Sequence, residues 1–339
     1  MNYTGKYEFQ FHKDLKEYHA KITKSAEVLI LPSTRRGYPV TCFWGFEDSP
    51  EGFRETKEII IPEGVKSLEG DVFSCFFALE RVHIPRSLEE IGDHVFGACY
   101  SIKEFIIDEG NEHFTTIEGN LYSKDMKTLI HVLNSPRSAV LKVPEGVTHI
   151  KNGAITWNNY ITKIELPASV QRIDVNFPRC PRLAEICVDE KNEHYATDNG
   201  ILYSKDYKKL YYAPCAISQR SISLHPSLIS IEACALQGCK FSTVKLPRGL
   251  RSIGFYAFKD CESLENIILP KGLERICSDA FSKCSSLQYI KIPLSVTHID
   301  GFPFSECKRL SIDCEASEPP SGWEYGKNFA FCPVRWGVK

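Results

Sequence analysis

No apolar run in this chain approaches the roughly 18 residues that a membrane-crossing helix needs, so the sequence predicts no membrane insertion. No sign of charge dominates: 41 lysines and arginines stand against 43 aspartates and glutamates, a formal net charge of −2. Without a basic field, nucleic acid is not an expected partner. No G-x-S-x-G elbow, H-E-x-x-H pair or glycine-rich phosphate loop occurs, so no motif assembles a nucleophile, a zinc hydrolase or a nucleotide site. The opening Met1-Asn2-Tyr3-Thr4-Gly5-Lys6 lacks the apolar stretch of an export signal, which predicts a cytoplasmic chain if Met1 is the native start.

What is abundant is a period. Pro247, Pro270 and Pro293 stand 23 residues apart, each closing an apolar run: Val244-Lys245-Leu246, Ile267-Ile268-Leu269 and Ile290-Lys291-Ile292. Each is followed by a second apolar pair (Leu250 and Ile253, Leu273 and Ile276, Val296 and Ile299). Then come Ala257-Phe258, Ala280-Phe281 and Pro303-Phe304, and finally Cys261, Cys284 and Cys307. A fixed period of about 20–29 residues with apolar positions at set offsets marks a leucine-rich-repeat solenoid. Alternation within Tyr289–Ile292 sends Ile290 and Ile292 inward, and proline, lacking an N–H, ends the strand. The second pair reads as a short strand on the opposite wall, and Ala-Phe-x-x-Cys as a short helical turn.

The fourteen cysteines include no C-x-x-C. Most fall once per repeat, so their side chains run parallel along the core instead of converging on a tetrahedral metal. Parallel thiols also reach the disulfide dihedral poorly, so free buried thiols are expected, as suits a reducing or anaerobic setting. Asn158 takes the cysteine position in one repeat, and Phe76 takes it in another with Cys75 displaced beside it, where local distortion is expected. No cofactor or metal is predicted, and the scattered histidines, His113 and His194 among them, read as turn chemistry.

The pattern can be followed from Val28 to the C-terminal region. Residues 1–25 alternate as a capping hairpin (Tyr7, Phe9, Phe11, then Tyr18, Ala20, Ile22), and an irregular connection covers 45–55. Residues 26–315 form the solenoid, and 316–339 a C-terminal cap. Two inserts, at about 109–140 and 190–222, match each other: Asn111-Glu112-His113-Phe114 with Asn192-Glu193-His194-Tyr195, and Leu121-Tyr122-Ser123-Lys124-Asp125 with Leu202-Tyr203-Ser204-Lys205-Asp206. Each reads as a β-hairpin standing off one edge of the coil. The whole is predicted to be a right-handed leucine-rich-repeat solenoid. It is mainly parallel β with short helical turns, an N-terminal capping hairpin and two inserted β-hairpins.

Outward positions supply the candidate binding residues. Glu58, Arg81 and Glu104 should be cross-strand neighbours of alternating sign, worth roughly 0.2–1 kcal/mol per contact. His83, Tyr289 and Lys291 also face outward. The inserts add Tyr122, Tyr203, Tyr207, Tyr211 and Tyr212; tyrosines combine contact area with a polar handle, although alternate members could instead pack onto the coil. No aromatic stripe is read along the outward face of the main sheet, which counts against sugar binding.

Ile91-Gly92-Asp93-His94-Val95-Phe96-Gly97-Ala98-Cys99 and Ile253-Gly254-Phe255-Tyr256-Ala257-Phe258-Lys259-Asp260-Cys261 closely resemble units of the BspA-like class of bacterial leucine-rich repeats. The resemblance covers about 26–315, and the tail from Cys314 to Gly337 is similar to a C-terminal segment of some members. It implies a non-catalytic scaffold for protein–protein interaction. Such a scaffold is often at the bacterial cell surface or secreted, and is in some members an adhesin for host or matrix proteins. It supplies no catalytic residue. The expectation is a monomer that binds a protein partner; a carbohydrate-binding or carbohydrate-active protein is the alternative.

Overall fold

The computed structural model describes residues 3–45, 53, 55–136, 139–174, 180–323, 329 and 332–339. Its elements are short β-strands, with no helix among the described residues. The chain divides into two compact units. One gathers Met1–Ser138, Pro144–Tyr160 and Arg172–Arg179; the other gathers Ala139–Val143, Ile161–Gln171 and Cys180–Lys339.

Each unit is a β-solenoid with two walls of parallel strands. In the first unit the first wall stacks Val28–Ile30, Glu58–Ile60, Arg81–Ile84 and Glu104–Ile107: Leu29 pairs with Ile59 across the longer first connection, and Ile59 with Val82 and Val82 with Phe105 at the expected period of 23. In the second unit this wall is built of three three-stranded sheets: Val140–Lys142 with Lys163–Leu166 and Glu185–Val188, Ser221–Ser223 with Thr243–Lys245 and Asn266–Ile267, and Tyr289–Ile292 with Ser311–Cys314 and Val334–Trp336. Within the regular repeats the second wall is made of two-residue strands, such as Ser252–Ile253, Arg275–Ile276 and His298–Ile299, whose inward isoleucines pair directly. Period-two alternation explains the burial: Ile290 and Ile292 are buried and Tyr289 is exposed. Where a first-wall strand ends in proline, the proline carbonyl starts a turn, accepting from the N–H three residues on: Leu250 to Pro247, Leu273 to Pro270, Val296 to Pro293.

The Ala-Phe-x-x-Cys segments are not helical turns. Between Tyr256 and Cys261 the N–H groups alternate. Those of Ala257, Lys259 and Cys261 bond three residues back, to Gly254, Tyr256 and Phe258. Those of Tyr256, Phe258 and Asp260 bond forward to Ser278, Ala280 and Ser282 of the next coil. An α-helix sends every N–H four residues back and leaves none for a neighbour. Here every second residue stitches the stack, and the chain turns through left-handed residues, Tyr256 (φ 56°) and Asp260 (φ 59°), repeated at Asp279 and Lys283. At Gly254, before this segment, the coils approach closely: a Cβ there would lie 2.8 Å from the Ile231 carbonyl of the preceding coil.

All fourteen cysteines are free. The reason for the cysteine column is a hydrogen bond: the thiols of Cys99, Cys261, Cys284 and Cys307 donate to carbonyls of the preceding coil at 2.9–3.1 Å, on Phe73, Leu236, Phe258 and Phe281. Asn158 makes the equivalent bond, Nδ2 to the Leu133 carbonyl at 3.0 Å, and its Oδ1 accepts from the Tyr160 N–H. The distortion expected at Phe76 is absent. Cys75 (φ 65°) occupies the same left-handed position as Ala98 (φ 59°), and the buried Phe76 ring stacks on Phe53 at 4.7 Å.

Neither insert stands off the coil as a hairpin. Each is a three-stranded antiparallel meander, Phe114–Ile117, Asn120–Ser123 and Thr128–His131 in the first unit, Tyr195–Asp198, Ile201–Ser204 and Lys209–Tyr212 in the second. The third strand of each is itself a second-wall strand, paired in parallel with His149–Ile150 or Ser230–Ile231. Asn111 and Asn192 anchor the entrances identically: Nδ2 donates to the Pro85 or Pro167 carbonyl, and Oδ1 accepts from the two N–H groups that open the meander. Residues Lys6–His12 and Glu17–Lys24 pair antiparallel, and the latter joins the second wall beside Tyr38–Trp44. The connection expected over 45–55 lies mostly outside the described residues. In the tail, Gly322–Trp323 and Val334–Trp336 add a strand to each wall of the second unit.

Candidate binding surfaces

In the first unit the outward face of the first wall is self-compensated. Glu58 accepts from Arg81 at 2.8 Å and from His83 at 2.6 Å, and these two hydrogen bonds, Arg81 first, hold its carboxyl below the usual range. Both partners of Glu58 are thereby committed to the wall, His83 included. A cleft of about 370 Å³ opens where Glu90–Ile91, the outermost strand of its sheet, faces the meander. Its charges are mixed, Glu89, Glu90, Glu112 and Asp125 against Lys124 and Lys151. Lys151 donates to the Ile91 carbonyl and lies 4.0 Å from Asp93. The Ser-Lys-Asp sequence is turn chemistry: Asp125 accepts from the Ser123 hydroxyl and the Lys127 N–H, as Asp206 does from Ser204 and Lys208.

Three of the candidate tyrosines belong to the core. Tyr122, Tyr203 and Tyr212 are buried because their strands form a wall, and not an outrigger, so one face of the meander is the core face. Burial pushes the Tyr122 phenol up to about 12 and raises those of Tyr203 and Tyr212. Tyr207 stacks on His225 at 4.2 Å and Tyr211 meets Tyr195 edge-on at 5.5 Å, leaving both half-buried.

The second unit differs on its first wall. Ile268 is 84% exposed, Leu294 65% and Tyr289 46%, on neighbouring coils. In the repeat Ile268 holds the position of Lys245 and Lys291, and Leu294 that of Arg248 and Lys271. Lys291 is paired with Glu315 at 3.1 Å, and the Leu294 N–H holds the other oxygen of that carboxylate. The Tyr289 hydroxyl donates to Asp313, whose two oxygens are gripped by Arg335 at 2.7 Å, and Arg335 holds that carboxyl low. Lys245, Arg248 and Lys271 have no ion-pair partner among the described residues. Here Asn266–Ile267 and Tyr289–Ile292 are each the outer strand of their sheet and do not pair with each other.

Among the described residues no group of three or more histidine, cysteine or acidic side chains is placed to hold a metal ion. Burial raises the thiols of Cys99, Cys239 and Cys261, so these column cysteines are protonated hydrogen-bond donors and not nucleophiles.

Comparison with known proteins agrees with this geometry. A search of the curated proteins returns no match. Among solved structures, the pneumococcal vaccine antigen PcpA is similar over 99% of this chain and 85% of its own, at 18% identity and a TM-score of 0.55. A leucine-rich repeat protein from Eubacterium ventriosum is similar over 100% and 95%, at 16% identity and a TM-score of 0.55. At these identities the likeness is one of fold. The BspA type leucine rich repeat region matches in six copies, over residues 50–138, 133–199 and 206–317. With most of its length matched, the chain belongs to the BspA-type leucine-rich repeat family.

Proposed function

We propose that this chain is a non-catalytic scaffold that recognises a protein partner through the outward face of the first wall in its second unit. The observation that carries this reading is the cluster of Ile268, Tyr289 and Leu294, three exposed apolar side chains near Lys245, Arg248 and Lys271, which form no ion pair among the described residues, while Lys291 and Arg335 are paired with Glu315 and Asp313. Elsewhere the wall neutralises itself, as Glu58 does with Arg81 and His83. Exposed apolar anchors within a rim of one charge are how interfaces concentrate affinity and steer encounter. The partner surface is therefore apolar at its centre and acidic around it. A setting at a bacterial surface, with an adhesin-like role toward a host or matrix protein, rests on the family and belongs to the same proposal. Tyr207 and Tyr211 are secondary contacts in it, since each is half-buried in its own packing.

The test is binding of purified chain to immobilised matrix and bacterial surface proteins at two salt concentrations. Ile268→Glu and Leu294→Glu should each weaken the wild-type interaction at least tenfold, added salt should weaken it further, and His83→Ala should leave it intact. Full affinity in both glutamate variants would remove this surface. Deleting the Tyr207–Tyr212 segment is not a usable test, because Leu210 within it is a core residue.

A further inference from the structure

Beside the cysteine column of the first unit runs a row of half-buried aromatic side chains that, among the described residues, has no counterpart at those repeat positions in the second, where the stacked Phe258, Phe281 and Phe304 rings are core. The Phe77 and Tyr100 rings stack at 5.4 Å and 21°, and Trp157 follows at 6.3 Å and 39° from Tyr100. All three are half-buried. They sit at the coil edge beside the cysteine column: Phe77 and Tyr100 one residue after it, Trp157 one residue before. In the second unit the position after the column carries Lys240, Glu262, Ser285 and Lys308, so the coil itself does not require an aromatic there. Among the described residues the position before it is left-handed, as at Ala98, Gly238, Asp260, Lys283 and Glu306, so this backbone conformation does not itself call for a tryptophan. A bulky residue in that conformation is otherwise uncommon.

Beside the row lies a shallow, open depression of about 530 Å³ lined by Phe77, Ala78, Tyr100 and Ser101, with no charged group among the described residues. Asn134 bridges the Tyr100 carbonyl (2.8 Å) and the Asn159 N–H (2.8 Å), which fixes Asn159 next to the ring row. The hydroxyls of Tyr100 and Ser101 and the exposed Asn159 amide make no hydrogen bond among the described residues. Aromatic rings, free hydroxyls and an amide without charge suit a ligand that presents C–H surfaces and hydroxyls together and carries no charge itself. An anionic ligand would find no cation in the lining, and an acidic or basic peptide no counter-charge.

We propose that this aromatic edge of the first unit binds a neutral saccharide. The site is independent of the protein-binding surface proposed above and stands whether or not that surface does. It is shallow, so affinity for a short oligosaccharide should be weak, in the range of roughly 0.1–1 mM.

The experiment screens the full chain on an array of neutral, acidic and basic oligosaccharides and titrates the strongest binder by calorimetry. Each variant uses a residue that its repeat position already carries elsewhere: Phe77→Lys and Tyr100→Lys from Lys240 and Lys308, and Trp157→Ala from Ala98. A neutral oligosaccharide should bind saturably. Each variant, checked for an unchanged unfolding transition, should weaken it at least tenfold, and Tyr100→Phe should weaken it a few-fold if the hydroxyl takes part. Ser285→Ala, at the same repeat position in the second unit, should change nothing. The proposal is overturned if no neutral saccharide binds, if only charged glycans do, if the depression binds peptides instead, or if folded Phe77→Lys and Tyr100→Lys proteins retain wild-type affinity.

Discussion

The thiol of Cys284 donates to the carbonyl of Phe258, 26 residues earlier, across 3.1 Å. The same bond recurs along the column, and Asn158 makes it with an amide. Its removal should therefore cost more than a lost van der Waals contact. Cys284→Ala removes one of the two hydrogen bonds at the Phe258 carbonyl, which keeps the Cys261 N–H, and a destabilisation of about 0.5–1.5 kcal/mol beyond the lost packing is expected. Asn158→Ala removes the side-chain bond to the Leu133 carbonyl, which keeps the Ser135 N–H, and takes the Oδ1 acceptor from the Tyr160 N–H, so it should cost at least as much. Urea denaturation checks both; an unchanged midpoint would show that the column is filler only.

His131 makes the stability of the first unit depend on pH. It is buried, with Phe96 and Phe105 edge-on at 5.7 and 5.6 Å, and burial lowers its pKa from the ordinary 6.5 to about 4. Between those values the unfolded chain takes up a proton that the fold refuses. The contribution of this residue is thus complete above pH 6.5 and declines as pH falls toward 4, by up to about 3 kcal/mol. His131→Leu should flatten that part of the stability profile, measured as denaturation midpoint against pH. An identical slope in the variant would contradict the assignment.

Two glycines separate packing from conformation. Gly254→Ala would push a Cβ to 2.8 Å from the backbone of the preceding coil, and should cost more than 2 kcal/mol because backbone has no room to yield. Gly238 has φ 72° and only Cys215 Sγ, at 4.0 Å, near its absent Cβ, so Gly238→Ala should cost only the left-handed penalty of about 1 kcal/mol. Equal losses by thermal unfolding would mean that the close approach at Gly254 relaxes freely.

The repeat was legible because its cause is local and periodic: alternation at Ile290 and Ile292, the turn at Pro293 and the column at Cys284 each recur at a fixed offset. The place of Asn158 in that column was legible for the same reason. The Ala-Phe-x-x-Cys segments were misread because their composition allows a helical turn, and only the neighbouring coil, which takes every second N–H, decides against it. The meanders were misread as outriggers because Lys209–Tyr212 has the alternation of any hairpin strand; its parallel pairing with Ser230–Ile231 is a long-range fact. That pairing buried Tyr203 and Tyr212 and removed them from the candidate surface. The aromatic row went unseen because Phe77, Tyr100 and Trp157 flank the column and lie off the main sheet face. Aligning the residues on either side of each column cysteine would have shown it.

Amide hydrogen exchange of the chain with and without a bound protein partner tests the central functional claim most directly. The account predicts added protection in the second unit at Asn266–Ile267 and Tyr289–Ile292, whose facing edges are unpaired. No change is predicted at the second-wall strands Ser252–Ile253, Arg275–Ile276 and His298–Ile299. Protection confined to those second-wall strands, or to the first unit, would contradict it.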